Sequence, residues 1–251
     1  MTCGFKQFIG AVTMVACSMF VAQAHAEDKV LKVGCEPTFP PFEFLDDNAQ
    51  PIGYDIDIIK AIGEEEGVKI EIVTMPFDGL IPALITAQLD ASISGITITE
   101  ERAKKVDFTE PYYDSGLSAV VLSENKDKFQ KISDLSKSRI CSQIGTTGAA
   151  HAQKISGNVA SFNTNPEAFM ELRAKGCDAV LLDKPVNGYF LSKSKVGEYY
   201  EIPEILNAEQ YGIAVKKGNQ QVSQILNSGL EKIRKNGKFD EIYNKWFAAK
   251  K

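Results

Sequence analysis

The chain has 251 residues, 44% hydrophobic and 24% charged, a balance that suits one or two globular domains and excludes collagen-like, low-complexity and broadly disordered chains. Its 33 acidic against 28 basic residues leave a formal charge of -5, so no positive field awaits a phosphate backbone or an anionic lipid, and nucleic acid is not an expected partner.

The first segment reads as an export signal. Lys6 is the one cation of the opening residues, Phe8 to Ala22 is largely apolar, and Ala24-His25-Ala26 precedes the charged Glu27-Asp28-Lys29. That order predicts cleavage after Ala26 and a periplasmic mature chain of residues 27–251. The apolar run is shorter than the roughly 20 residues a spanning helix needs. Met14-Val15-Ala16-Cys17 offers an alternative, a lipoprotein site with Cys17 lipidated and the protein tethered to a membrane, although such sites usually begin with Leu. Export removes Cys3 and Cys17 and leaves Cys35, Cys141 and Cys177, with His151 as the only histidine. This inventory matches no zinc spacing and puts no nucleophile beside a histidine, so no metal, no cofactor and no acyl-transfer chemistry are expected.

Along the mature chain, strand and helix signals alternate. Val30 to Gly34 reads as a strand, and Tyr54 to Gly67 as a helix with Ile56, Ile59 and Ile62 on one face and Gly67 as its left-handed stop. Val68 to Val73 returns to strand, Gly79 to Gln88 to helix, Asp90 to Ile96 to strand. Thr99 to Lys105 is a short helix with Thr99 as cap and Glu100 and Glu101 in its first turn. Strands separated by helices predict crossover connections and mostly parallel sheets, hence an α/β fold.

After Val106-Asp107-Phe108 the pattern restarts. Leu117 to Ser123 is a strand and Ile132 to Leu135 a helical turn; a strand opened by Cys141, a Gly145-Thr146-Thr147-Gly148 turn and a helix from Ala149 follow. Asn165-Pro166 opens a helix that turns Phe169 and Leu172 inward and ends at Gly176. A strand opened by Cys177, a helix from Pro185 and a strand from Tyr211 to Val215 come next. Val222 to Phe247 forms two amphipathic helices broken at Asn236-Gly237, with Phe239, Ile242, Tyr243 and Trp246 as a packing stripe. If the Cys141 and Cys177 strands are parallel neighbours, both sulfurs lie at one end, within the roughly 4.4–6.8 Å Cα separation a disulfide requires. The alternative is three buried free thiols, and Cys35 is the odd one in either case.

Seven strings in one order are similar to the solute-binding proteins of bacterial polar amino-acid ABC importers. They are Glu36-Pro-Thr-Phe-Pro-Pro-Phe-Glu-Phe44, Gly53-Tyr-Asp-Ile-Asp57, Phe77-Asp-Gly-Leu-Ile-Pro-Ala-Leu84, Gly95-Ile-Thr-Ile-Thr-Glu-Glu-Arg102, Asp107-Phe-Thr-Glu-Pro-Tyr-Tyr113, Asp178-Ala-Val-Leu-Leu-Asp183 and Tyr211-Gly-Ile-Ala-Val215. The resemblance runs from about Leu31 to Phe247 and implies the two-lobed type II periplasmic-binding-protein fold. Residues 27–113 plus 210–251 would form lobe 1 and residues 114–209 lobe 2, with hinge crossings near Tyr113-Asp114 and Glu209-Gln210. A monomer that closes on a polar L-amino acid and delivers it to permease subunits is the implied function.

Such a ligand brings a carboxylate and an ammonium, and burying either without a partner costs several kcal/mol. By itself Arg102 reads as a surface residue paired with Glu101 or Asp107; the resemblance makes it, with Thr97 and Thr147, the carboxylate clamp. Guanidinium geometry suits two parallel hydrogen bonds, and the Gly145-Thr146-Thr147 turn ahead of a helix adds N–H groups. Asp183 reads either as the N-cap of the helix opened by Pro185 or, from the resemblance, as the ammonium partner beside the Gly95 carbonyl. Phe39 and Phe77 are read as aromatic walls or as ordinary core, while Glu36, Ser94 and Gln143 supply polar reach around the ligand side chain. An acid there disfavours glutamate and aspartate. Gln143 and Leu182 stand where some glutamine-binding members carry Lys and His, so glutamine is placed only just ahead of arginine or lysine. Rival readings are an exported cyclohexadienyl dehydratase-like enzyme using Glu36 as a general acid, and a ligand-sensing module.

Overall fold

The structure, a computed structural model, describes residues 1–2 and 30–248. The export signal, its cleavage after Ala26 and the Cys17 alternative lie outside the described residues. Strand β1 (Val30–Cys35) is followed by three short strands, β2 (Thr38–Phe39), β3 (Glu43–Leu45) and β4 (Pro51–Ile52), which pair as a small antiparallel sheet. Helix α1 (Tyr54–Glu66) begins after Gly53, where φ is 135° and a Cβ would lie 2.0 Å from the Phe42 carbonyl oxygen, so only glycine fits. It ends, as its sequence predicts, at Gly67 in the left-handed region with φ 62°. Strand β5 (Lys69–Thr74), helix α2 (Phe77–Ile85), strand β6 (Ala91–Ser92), helix α3 (Glu100–Ala103) and strand β7 (Val106–Phe108) complete the first run.

The long strand β8 (Tyr113–Leu122) opens the second run, which continues through β9 (Ile140–Gln143), α4 (Thr147–Ile155), β10 (Val159–Phe162), α5 (Asn165–Arg173), β11 (Ala179–Asp183), α6 (Lys184–Lys193) and β12 (Tyr199–Glu201). Strands β13 (Ala208–Tyr211) and β14 (Ala214–Lys216) lead back to the C-terminal helices α7 (Gln220–Lys235) and α8 (Lys238–Phe247). Two larger sheets result, ordered β5-β1-β6-β14-β7 and β10-β9-β11-β8-β12. The chain passes from one to the other along β8 and returns along β13, and these two strands pair antiparallel from Tyr113↔Tyr211 to Gly116↔Ala208. The two-lobed fold is thereby joined by a two-strand ribbon.

Several sequence expectations change in detail. The sheets are mixed rather than mostly parallel: β1, β5 and β6 run parallel, as do β9, β10 and β11, but β14 is antiparallel to β6 and β7, and β8 to β11 and β12. The reason is that crossing chains enter each sheet from the opposite end. The strand read over Tyr211 to Val215 is two strands, split at Gly212-Ile213 where the backbone leaves the ribbon for the first sheet. Helix α5 ends through Lys175 at φ 62° rather than through Gly176, and α2 and α4 each begin two residues earlier than read, at Phe77 and Thr147. The strand read over Asp90 to Ile96 keeps only Ala91 and Ser92 in the ladder.

Both faces of each sheet are covered. In the second sheet, Ala119, Val121, Ala179 and Leu181 face one cluster with Phe129, Ile132 and Leu135, while Val120, Leu122, Val180 and Leu182 face another with Phe169 and Leu172. That two-residue alternation is what a strand buried on both sides requires. Cys141 and Cys177 are joined as a disulfide with Cα atoms 6.0 Å apart; β9, which holds Cys141, and β11 are parallel neighbours, though β11 begins at Ala179, two residues after Cys177, and not at the cysteine as read; Cys35 is the buried free thiol among the described residues.

In the first lobe, α7 lays Val222, Leu226, Leu230 and Ile233 against Ile58, Ile59 and Ile62 of α1. At their crossing Gly229 approaches so closely that a Cβ would lie 2.6 Å from Ile62 Cγ2. Gly229→Ala gains helix propensity, about 1 kcal/mol, but overpacks the crossing by about 1–3 kcal/mol. The expected net is a melting temperature lower by a few degrees in a thermal scan, at about 2–4 °C per kcal/mol for a chain of this size.

Candidate functional site

The residues singled out in the sequence gather where the strands of both sheets end, the usual place for a ligand in open α/β sheets. Glu36 follows β1, Ser94 to Thr97 follow β6, Gln143 closes β9, Thr147 opens α4 and Asp183 closes β11. Thr99 caps α3 by accepting the Arg102 N–H at 3.1 Å, which sets the first turn and aims the Arg102 side chain back across the gap.

Arg102 pairs with neither Glu101 nor Asp107. Its Nη1 donates to the Thr97 carbonyl at 2.8 Å and its Nη2 to the Gly145 carbonyl at 3.0 Å, so the guanidinium spans from the β6 end to the turn ahead of α4. It lies over the half-buried Phe77 ring, 5.5 Å from the centroid. Burial lowers its pKa, and the carboxylates of Glu209 and Asp183 oppose that shift, which places both acids in its field. Phe77, Arg102, Gly145 and Thr147 line a cleft of about 760 Å³.

Asp183 is buried and stands at the N-cap position of α6, as read, but its side chain makes no capping bond; its Oδ1 instead accepts from the Tyr211 hydroxyl at 2.6 Å. Burial, reinforced by the nearby Glu209 carboxylate, pushes its pKa up to about 7, against the lowering effects of Tyr211 and Arg102. Glu36 is also buried, and burial raises its carboxyl too, while hydrogen bonds from Thr38 Oγ1 at 2.6 Å and Gln143 Nε2 at 3.3 Å pull the other way. Gln143 reaches it from the second sheet while holding the Asn163 carbonyl at 2.8 Å.

Phe39 and Phe77 make no ring contact with one another. Phe39 is buried against Tyr211 and against Gly95, where a Cβ would lie 2.5 Å from its ring, so it is wall and core at once. Gly95 sits at φ 53°, and its N–H donates to Asp55 Oδ2 at 2.8 Å.

Four residues contribute that sequence reasoning missed. Glu209 Oε2 accepts from the hydroxyls of Thr97 at 2.7 Å and Thr147 at 3.0 Å, joining the two expected clamp threonines through the ribbon strand β13. Tyr211 holds Asp183. Behind the site lies a buried acid pair: Asp55 takes Gly95 N–H and Tyr112 hydroxyl, Glu43 takes the Ser94 hydroxyl at 2.7 Å, and Glu43 Oε2 and Asp55 Oδ1 are buried without a hydrogen-bond partner. Burial drives both carboxyls upward, and the Ser94 hydroxyl and the Gly95 N–H rest on them. Only the adjacent motif residues hinted at these roles, because each hydrogen-bond partner is 28 or more positions away. Among the described residues no cluster of His, Cys, Asp or Glu is arranged for a metal ion.

Comparison with known proteins gives a consistent result. Residues 31–249 match bacterial extracellular solute-binding proteins, family 3. A probable histidine-binding protein of Neisseria gonorrhoeae is 35% identical over 90% of this chain and 86% of its own length, and an L-arginine-binding protein of Pseudomonas aeruginosa is 33% identical over 93% and 94%. Among solved structures, an ancestral arginine-binding protein bound to arginine is 41% identical, with a TM-score of 0.84 over 87% of this chain and 98% of that one. The ancestral arginine-binding protein solved with glutamine gives 41% and 0.83 over 88% and 98%. An ancestral amino-acid-binding protein described as a precursor of cyclohexadienyl dehydratase is 37% identical, TM-score 0.81, over 87% and 95%.

Proposed function

Because the chain belongs to the bacterial extracellular solute-binding proteins of family 3, we propose that it holds a polar L-amino acid between its lobes in the periplasm and passes it, as a monomer, to the permease subunits of an ABC importer. Lobe 1 then comprises residues 27–113 plus 210–251 and lobe 2 residues 114–209. The observation that carries the reading is the convergence of Arg102, Thr97 and Thr147 with Asp183 across the gap between the sheets. A zwitterion needs a cation for its carboxylate and an anion for its ammonium. Asp183 is buried and Arg102 half-buried, and only closure of the lobes brings both to one molecule.

Glu36 supports a cationic ligand side chain. Asp183 balances the ammonium and Arg102 the carboxylate, which leaves the Glu36 carboxyl for a third charge. The relatives named for arginine and histidine support the same class. Arginine, lysine or histidine therefore stand ahead of glutamine, reversing the order read from the sequence. Calorimetry against the individual amino acids tests this: a basic amino acid is expected to bind at micromolar concentration or below, about -8 kcal/mol or better. No heat with any amino acid would sink the reading. Glu36→Gln is expected to weaken the basic ligand by about 10- to 100-fold, the cost of leaving one buried charge unpaired, and glutamine by less than about threefold.

The dehydratase-like reading draws on the third structural likeness, yet that relative is described as an amino-acid-binding protein. Glu36 has the raised pKa of an acid, but a prephenate consumption assay is expected to show no turnover; turnover would restore the enzyme reading.

A further inference from the structure

Glu209 occupies an unusual position for an acid. It is only 5% exposed, sits on the ribbon strand β13, and one of its oxygens takes two hydroxyl protons, from Thr97 at the end of β6 and from Thr147 at the start of α4. The other oxygen is 3.4 Å from the Asn207 amide. Of the charges acting on Arg102, Glu209 is the strongest, and its like charge also acts on Asp183. Thr97, Thr147 and Arg102 are the groups assigned above to the carboxylate of the amino acid.

A threonine hydroxyl has one proton. While Glu209 accepts from Thr97 and Thr147, neither hydroxyl can donate to a second carboxylate, and two anions beside one guanidinium repel. A cavity of about 260 Å³ lined by Thr147, His151, Asn207 and Gln210 opens beside Glu209, giving the side chain room to turn and N–H donors to meet it there.

We propose that Glu209 is an internal rival of the ligand carboxylate: it bridges Thr97 and Thr147 to favour closure without ligand, and amino-acid binding displaces it from both hydroxyls. This rests on the amino-acid-binding reading. The acid sets affinity from outside the set of residues that hold the ligand, and it makes closure partly independent of ligand.

The test compares Glu209→Ala and Glu209→Gln with the unsubstituted protein, using calorimetry with L-arginine, L-histidine and L-glutamine and small-angle scattering without ligand. Glu209→Ala frees both hydroxyls and is expected to bind about tenfold tighter, with Glu209→Gln between, since a neutral amide oxygen still accepts a hydroxyl but brings no charge. The radius of gyration without ligand is expected to be larger in Glu209→Ala and to shrink more on binding. A residue that merely supported the site would give weaker binding in both variants. Unchanged or weaker binding in both, or identical ligand-free radii, overturns the proposal. If Glu209→Ala does not fold, Glu209→Gln decides by the same affinity criterion. Absence of binding by the unsubstituted protein would instead remove the amino-acid reading itself.

Discussion

Arg102→Ala is expected to cost more than a hundredfold in affinity for every amino acid, whatever its side chain. In the proposed site the guanidinium is the cation assigned to the ligand carboxylate, and truncating one partner of a desolvated charged contact costs about 2–5 kcal/mol, where 1.4 kcal/mol is tenfold. The loss is compounded because both guanidinium ends are engaged, one with the Thr97 carbonyl and one with the Gly145 carbonyl, so the same side chain also straps the β6 end to the α4 turn. Arg102→Lys is expected to recover part of the charge and little of the affinity, since a single ammonium cannot make the two-ended contact. Calorimetry with one basic and one neutral amino acid checks this. Because the carboxylate is common to all ligands, both must fall together; a loss confined to one ligand would assign Arg102 to side-chain selection instead. The melting temperature of the ligand-free protein is expected to move little, because α3 keeps its Thr99 cap and its own N–H bonds.

Asp183→Asn is expected to lose about as much, and to remove the pH dependence that the unsubstituted protein should show. With its carboxyl raised to about 7 by burial, Asp183 is largely protonated in mildly acidic solution, and a neutral carboxyl cannot balance an ammonium. Amino-acid affinity should therefore be level above pH 7 and fall by up to about tenfold per unit below it. Folding stability runs the other way. A carboxyl whose folded pKa lies above its unfolded value near 3.9 contributes stability that is present below the unfolded pKa and is lost as pH rises to about 7. The buried Glu43–Asp55 pair contributes with the same sign. Ligand-free protein should thus gain from Asp183 between pH 7 and pH 5 while the thermal shift produced by ligand shrinks. Thermal scans with and without saturating ligand at pH 5, 6, 7 and 8 measure both slopes; a ligand shift independent of pH would contradict the role given to Asp183, and Asp183→Asn should give a small, flat shift.

How far the sequence carried can be judged residue by residue. The Thr99 cap was legible because it is a local rule: the acceptor and its N–H donor are three residues apart. Gly67 and the break at Asn236-Gly237 were legible for the same reason, since glycine enters a left-handed turn at the least cost. The disulfide needed one assumption, that two strands are neighbours, and β9 and β11 are. Antiparallel β14 was not legible, because no local signal records from which end a strand enters a sheet. The short Ala91–Ser92 ladder was overread for a related reason: apolar residues after it are buried by packing rather than by pairing.

By itself, the sequence determined the α/β class, the order of the main helices and strands, and the family, because these follow from short-range stereochemistry and from motifs of a few adjacent residues. Only the tertiary structure decided that the Asp183 side chain, at the cap position of α6, turns to the Tyr211 hydroxyl, that Arg102 spans two carbonyls instead of a surface acid, and that Glu209 takes the hydroxyls of Thr97 and Thr147. A charged side chain in a sequence has many partners within reach. Burial removes water from that choice, and the partner is then whichever polar group the packing of two distant segments has left beside it.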